Sequence, residues 1–163
     1  MAAVMTVKLG SGRLTAYGKR MVAHAMYSKG TSFLGAAALL HRQGSYESVV
    51  LHLMCQGIEI ILKALLLVSN HDKYAPQLTA LGHNLEKLAN TAVAEFGARP
   101  LSPIVAHELS ALNRRYSKHL LRYGTPYDIV ADPATIPTRH VFIKTLAVVR
   151  LANRHVFSND DAT

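Results

Sequence analysis

The sequence has little cysteine, no tryptophan and few charged side chains for its length. Its 163 residues include a single cysteine, Cys55, so no disulfide can form within the chain. Such a composition is typical of a protein that folds in a reducing compartment, and we expect a cytoplasmic location. Only 17% of the residues are charged, whereas 50% are hydrophobic. A surface so poor in charge predicts that a partner covers part of it, most simply a second copy of the chain.

Acidic residues are absent from the first part of the chain, which makes the charge uneven. The formal net charge is +8, and residues 1–46 contain no Asp or Glu at all. Residues 47–98 have an excess of acidic residues, and residues 99–163 are basic again. Two basic ends around a mildly acidic middle favour an anionic partner such as a nucleic acid or nucleotide. A basic protein without such a partner is the alternative interpretation.

A long uncharged stretch of membrane-spanning length is also absent. The most apolar segment, 49–68, is interrupted by His52, Gln56, Glu59 and Lys63. A Glu or Lys at the centre of a membrane span costs about 2.5–3.5 kcal/mol on insertion scales. We therefore expect this segment to be a buried helix of a protein without a membrane anchor.

The hydrophobic periodicity is helical nearly throughout, and no segment has the alternation of a strand. Residues 1–30 are predicted to form an N-terminal arm, either ordered or flexible, 31–157 a single helical domain, and 158–163 a polar tail. The domain is expected to be an all-α, up-and-down bundle of four to five helices. Five helices are predicted, at about 32–42, 46–69, 83–96, 104–123 and 138–156.

The second predicted helix has one polar stripe on an otherwise apolar surface. His52, Gln56, Glu59 and Lys63 are spaced by four, three and four residues, which places them on one face. Glu59 and Lys63 have the favourable order for an ion pair within a helix. The stripe either reaches solvent and pairs with neighbouring helices, or it lines a cleft or a dimer seam. No third ligand accompanies His52 and Gln56, so no metal site and no cofactor are predicted.

The fourth predicted helix has the densest basic cluster of the chain. At about 100° per residue, three of its cations form one stripe and two further side chains lie beside it. This surface offers several donors for a phosphate, with two tyrosines at its apolar border. A solvated helix face is the alternative. The stripe is Arg114, Lys118 and Arg122, the neighbouring pair is Arg115 and His119, and the tyrosines are Tyr116 and Tyr123.

Three short elements resemble the HEPN domain family. Glu59 and Lys63 lead into Ala-Leu-Leu, which resembles the second-helix signature of these domains. The run His-Asn-Leu-Glu-Lys-Leu at 83–88 resembles the element that opens their third helix. The sequence Arg-Tyr-Gly at 122–124 is similar to the family's Arg-Tyr-Pro ending of the fourth helix, with Gly in place of Pro. In order and spacing the three elements cover about residues 30–155.

The resemblance implies a helical bundle, commonly a homodimer, that is involved with nucleotides or RNA. Some HEPN proteins are metal-independent ribonucleases with an Arg-x(4–6)-His motif at the dimer interface, and Arg114 and His119 have that spacing.

On an unbroken helix Arg114 and His119 lie about 140° apart around the axis, so they converge only where the helix is irregular. Arg115 and His119, four residues apart, share a face. The candidate catalytic residues are therefore Arg114, Arg115 and His119. The candidate nucleotide- or RNA-binding residues are Lys118, Arg122 and Tyr123.

Three functions remain open at this point. The first is a homodimeric HEPN-like module that binds nucleotide or RNA, as part of a toxin–antitoxin or nucleotidyltransferase-associated system. The second is a metal-independent ribonuclease in which His119 is the acid or base. The third is an interaction module whose apolar surface binds a cognate antitoxin or a nucleotidyltransferase.

Overall fold

A computed structural model describes residues 14–123 and 136–157. Throughout these two ranges the regular structure is helical and no strand occurs, which confirms the all-α class. The predicted polar tail, 158–163, lies outside the described residues. The described residues form eight α-helices and one 3-10 turn, Ala75–Gln77. The helices are α1 Ala16–Arg42, α2 Glu47–Ser69, α3 His71–Tyr74, α4 Leu78–Leu81, α5 Leu85–Glu95, α6 Pro103–Tyr116, α7 Leu120–Tyr123 and α8 Arg139–Phe157.

Helix α1 begins sixteen residues earlier than predicted. The hydroxyl of Thr15 accepts a hydrogen bond from the backbone N–H of Gly18 and caps the helix start. Ala23 and Tyr27 are buried, so this part of α1 belongs to the packed structure. The expected boundary between an N-terminal arm and the helical domain at residues 30 and 31 is therefore wrong, since α1 runs across it. The remainder of that arm, residues 1–13, lies outside the described residues.

Helix α2 is the central helix, and α1, α5 and α8 pack against it. Most of its residues are buried, and Met54, Cys55 and Leu66 have no exposed side-chain surface. Among the described residues, α2 is the one helix that is long and apolar enough to span a membrane, judged by length and composition. In the most apolar 18-residue stretch of α2, 72% of the residues are buried against the rest of the chain, as in the core helix of a soluble protein.

Helices α1 and α2 cross closely at two glycines. A Cβ atom placed on Gly57 would lie 2.9 Å from the carbonyl oxygen of Gly30 and 2.7 Å from Leu34 Cδ2. A Cβ atom on Gly30 would lie 2.5 Å from Ile61 Cγ1. The absence of side chains at this crossing lets the two backbones approach, which positions the polar face of α2 relative to the rest of the bundle.

The predicted fourth helix is broken after Tyr116. Ser117 donates a side-chain hydrogen bond of 2.7 Å to the carbonyl oxygen of Asn113, and His119 has a φ of 59°, in the left-handed region. The chain turns at 117–119 and resumes as α7. The expectation of one helix over 104–123 is wrong, because local side-chain hydrogen bonding and a left-handed residue compete with the helical ladder.

The start of α8 is bound to α6 by a buried carboxylate. Glu108 accepts hydrogen bonds from the backbone N–H groups of His140, at 2.8 Å, and Val141, at 3.0 Å. His140 Nδ1 lies 2.7 Å from the other carboxylate oxygen. Burial raises the pKa of Glu108, but the hydrogen bonds from His140 and Val141 outweigh this effect and leave the pKa below its ordinary value. A negative charge at a helix N-terminus is electrostatically favourable, so Glu108 fixes α8 beside α6.

Candidate functional site

The carboxylate of Glu59 is the centre of a polar cluster that joins three parts of the chain. Its Oε1 accepts a hydrogen bond of 2.7 Å from Lys63 Nζ, and its Oε2 accepts one of 2.6 Å from the Tyr116 hydroxyl. His83 Nδ1, from the loop between α4 and α5, lies 2.9 Å from Oε2. We call Glu59, Lys63, His83 and Tyr116 the Glu59 cluster.

Glu59 is ionised at neutral pH although its side chain is only 4% exposed. Burial is the largest single influence and raises the pKa of Glu59. The hydrogen bonds from Lys63, Tyr116 and His83 favour the carboxylate, and together they bring the pKa below its ordinary value. The cluster therefore contains a buried negative charge that is held by surrounding donors.

The polar stripe predicted on α2 pairs with α6 in the same chain. Gln56 Oε1 lies 3.1 Å from the Tyr116 hydroxyl, and the ring of His52 lies 5.8 Å from the ring of Tyr116. Lys63 completes the stripe through its ion pair with Glu59. Of the two interpretations, pairing with a neighbouring helix describes these contacts, and a role in a dimer seam stays a prediction.

The turn after α6 brings His119 to His83. The two imidazole rings are 5.3 Å apart, edge to face, and the side chain of His83 is 42% exposed. We call His83 and His119 the histidine pair. This pairing depends on the break in the predicted helix, because the left-handed conformation of His119 turns the chain at this point.

Sequence reasoning assigned His83 only to the start of a helix and missed its contact with Glu59. Two asparagines fix the loop that contains it. Asn84 Oδ1 accepts a 2.9 Å hydrogen bond from the N–H of Lys87 and caps α5. Asn113 Oδ1 accepts one of 2.8 Å from the N–H of Leu85 and links the loop to α6. The His-Asn-Leu run is the sequence signal that points to His83 as a residue of interest. Glu59, which contacts it, is twenty-four residues away in the sequence.

Three of the predicted cations line a surface groove of about 340 Å³ between the end of α6 and the segment that leads into α8. Arg114, Arg115 and Lys118 supply the charge, and Ile136 and Pro137 line the groove from the segment before α8. We call this feature the cationic groove. It lies beside the turn that contains His119, because Lys118 and Leu120, which flank His119 in sequence, both line it.

The other two predicted binding residues lie in a separate short helix. Arg122 and Tyr123 belong to α7, beyond the break, and their side chains lie outside the described residues. The expected stripe of Arg114, Lys118 and Arg122 on one continuous helix is therefore wrong. The expected convergence of Arg115 and His119 on one helical face fails for the same reason, since α6 ends between them.

The described ranges contain no group of three or more His, Cys, Asp or Glu side chains arranged to hold a metal ion. No family model, no curated protein and no solved structure matches this chain. The Glu59 cluster, the histidine pair and the cationic groove are the polar features of the described residues that suit a function.

Proposed function

We propose that this chain is a HEPN-like helical module, acting as a homodimer, that binds RNA or a nucleotide in the cationic groove. The observation that supports this most is the grouping of Arg114, Arg115 and Lys118 around one concave surface. Two guanidinium groups and an ammonium group provide many donors and no acceptor, which is the composition that binds phosphate oxygens. The polar stripe, the His-Asn-Leu element and the Arg-Tyr-Gly ending support the likeness to the family.

Glu108 supports the groove as a stable feature. It connects α6, which contains both arginines, to the first turn of α8, and the wall residues Ile136 and Pro137 lie three and two residues before that helix begins. The two walls are therefore held together by hydrogen bonds from a buried carboxylate. Because the groove is already formed, little ordering of its residues accompanies phosphate binding, and the entropic cost of binding is lower.

Replacing the groove cations is expected to weaken RNA binding and to reduce its dependence on salt. The triple variant Arg114→Gln, Arg115→Gln, Lys118→Gln removes three positive charges that interact with phosphates. For single-stranded RNA, each lost phosphate contact lowers the slope of log K against log salt by about 0.7, so the triple variant should lose about 2. Fluorescence anisotropy with a labelled single-stranded RNA, at several salt concentrations, measures both affinity and slope.

Arg150→Gln is the matched control for charge. Arg150 is exposed on α8, about 16 Å along the helix axis from Arg139, where this helix begins. The Arg150→Gln substitution lowers the net charge by the same amount as one groove substitution but leaves the groove intact. Equal losses of affinity in Arg150→Gln and in the single groove variants would show that binding follows net charge alone, which contradicts a site in the groove.

A metal-independent ribonuclease is a second candidate, favoured by the histidine pair. An imidazole that contacts a second imidazole beside a phosphate-binding groove can transfer protons during phosphodiester cleavage. We expect cleavage of single-stranded RNA by the wild-type protein in EDTA and its loss in His119→Asn. Asparagine is chosen because it tolerates the positive φ at this position, so the turn is retained. Cleavage that EDTA abolishes, or that His119→Asn retains, contradicts this candidate.

A further inference from the structure

The contact between Glu59 and His83 selects one tautomer of the His83 ring. An ionised carboxylate only accepts hydrogen bonds, so His83 Nδ1, at 2.9 Å from Glu59 Oε2, must provide the proton. In the neutral ring this leaves the lone pair on Nε2. Glu59 is itself held by Lys63 and Tyr116, and its geometry is therefore set independently of His83. The carboxylate therefore fixes the orientation of the imidazole.

The surroundings of the His83 ring suit a proton acceptor. Its side chain is 42% exposed, so a substrate can reach it, although it belongs to a cluster with a buried centre. The groups that face it are Glu59, with its partner Lys63 on α2, the ring of Tyr116 on α6, and the ring of His119 in the turn. Of these groups, Glu59 is the carboxylate that contacts His83 Nδ1, and His119 is a second imidazole beside the His83 ring.

We infer that His83 is a second catalytic residue, which acts with His119 on the phosphodiester bond of RNA, with Glu59 as the positioning residue. This inference rests on the ribonuclease candidate described above. It assigns opposite roles to the two rings: His83 removes a proton, and His119 supplies one. The cationic groove beside the turn binds the phosphates of the same strand.

The reaction balances without a metal or another reactant. His83 Nε2 takes the proton of the ribose 2′-hydroxyl as the 2′-oxygen forms a bond to phosphorus. The bond between phosphorus and the 5′-oxygen breaks, and protonated His119 donates its proton to that oxygen. The products are a 2′,3′-cyclic phosphate and a 5′-hydroxyl. The substrate is therefore RNA with a free 2′-hydroxyl at the cleaved position, and a 2′-deoxy nucleotide there should block the reaction.

The decisive variant is His83→Asn. The amide of asparagine can take the place of Nδ1 and keep a hydrogen bond to Glu59, whereas it has no group at the position of Nε2. We expect single-turnover cleavage of a short RNA to fall by about 10²–10⁴-fold, the usual contribution of a general acid or base. RNA affinity, measured with the same oligonucleotide 2′-deoxy at the cleaved position, should change less than about threefold, because the groove cations remain.

The pH dependence distinguishes a proton acceptor from a structural residue. With one imidazole acting as the base and the other as the acid, the wild-type rate should pass through a maximum as the pH is raised. Each of the variants His83→Asn and His119→Asn should lose one of the two limbs of this profile. If His83→Asn cleaves at the wild-type rate or keeps both limbs, the inference is wrong although the ribonuclease candidate stands. If the wild-type protein binds RNA without cleaving it, both the inference and the ribonuclease candidate are wrong, while the binding function stands.

Discussion

Replacing Gly57 with leucine is expected to prevent α1 and α2 from packing and to destabilise the fold by more than about 3 kcal/mol, the upper end of typical overpacking costs. The first added carbon would already lie 2.9 Å from the carbonyl oxygen of Gly30 and 2.7 Å from Leu34 Cδ2. A backbone oxygen cannot rotate away as a side chain can, so the two helices must separate. Since single domains have a total stability of about 5–15 kcal/mol, such a loss is a large share of it.

Gly35→Leu is the matched control for this substitution. Gly35 lies in α1, and nothing lies within 4 Å of a Cβ atom placed there. Leucine has a higher helix propensity than glycine, so this variant should gain up to about 1 kcal/mol. Urea denaturation followed by circular dichroism gives the free energy of unfolding of both variants. A Gly57→Leu protein as stable as the wild type would show that the helices do not cross closely at this residue.

The features that could be predicted from the sequence are those that depend on residues near each other in the chain. The apolar run with Glu59 and Lys63 four residues apart indicated a buried helix with a polar stripe, and α2 is that helix. The helical periodicity also predicted a helix starting at about residue 104, and α6, with its buried face of Val105, Leu109, Leu112 and Tyr116, is that helix up to the break. In both cases the helical period places the relevant side chains on one face, so no knowledge of the rest of the fold is needed.

The features that were missed depend on contacts between distant parts of the chain, except for the break at His119. His83 contacts Glu59 across twenty-four residues, and neither residue signals the other. The break at His119 follows a local motif in which the Ser117 hydroxyl donates a hydrogen bond to the carbonyl oxygen of Asn113. The helical spacing of the apolar residues continues through this position, so it did not reveal the break. The packing of Gly30 in α1 against Ile61 in α2 is likewise a contact between distant residues, and it makes residues before 31 part of the packed structure.

Replacing Glu59 with leucine is expected to cost about 3–5 kcal/mol, because it leaves the Lys63 ammonium group without its buried partner. The side chain of Lys63 is only 14% exposed, so water replaces the lost carboxylate poorly. The Tyr116 hydroxyl loses its closest acceptor as well, although Gln56 remains within reach. Chemical denaturation at pH 7 measures the loss. In the double variant Glu59→Leu, Lys63→Met the isolated charge is also gone, and most of the stability should return; a double variant as unstable as the single one contradicts this explanation.

Glu59→Gln isolates the charge of the carboxylate and gives the stability difference a pH dependence. The pKa of Glu59 is lower in the folded protein than in the unfolded chain, since three donors favour the carboxylate. Its charge therefore contributes stability fully above the unfolded pKa, about 4.3, and that contribution disappears as the pH falls through the folded value. The wild type should exceed Glu59→Gln in unfolding free energy at pH 7, and the difference should shrink steadily below about pH 4. A difference that stays constant between pH 7 and pH 3 would mean that Glu59 has the same proton affinity in the folded and unfolded chain, and its hydrogen bonds to Lys63, Tyr116 and His83 would then not favour the charged form.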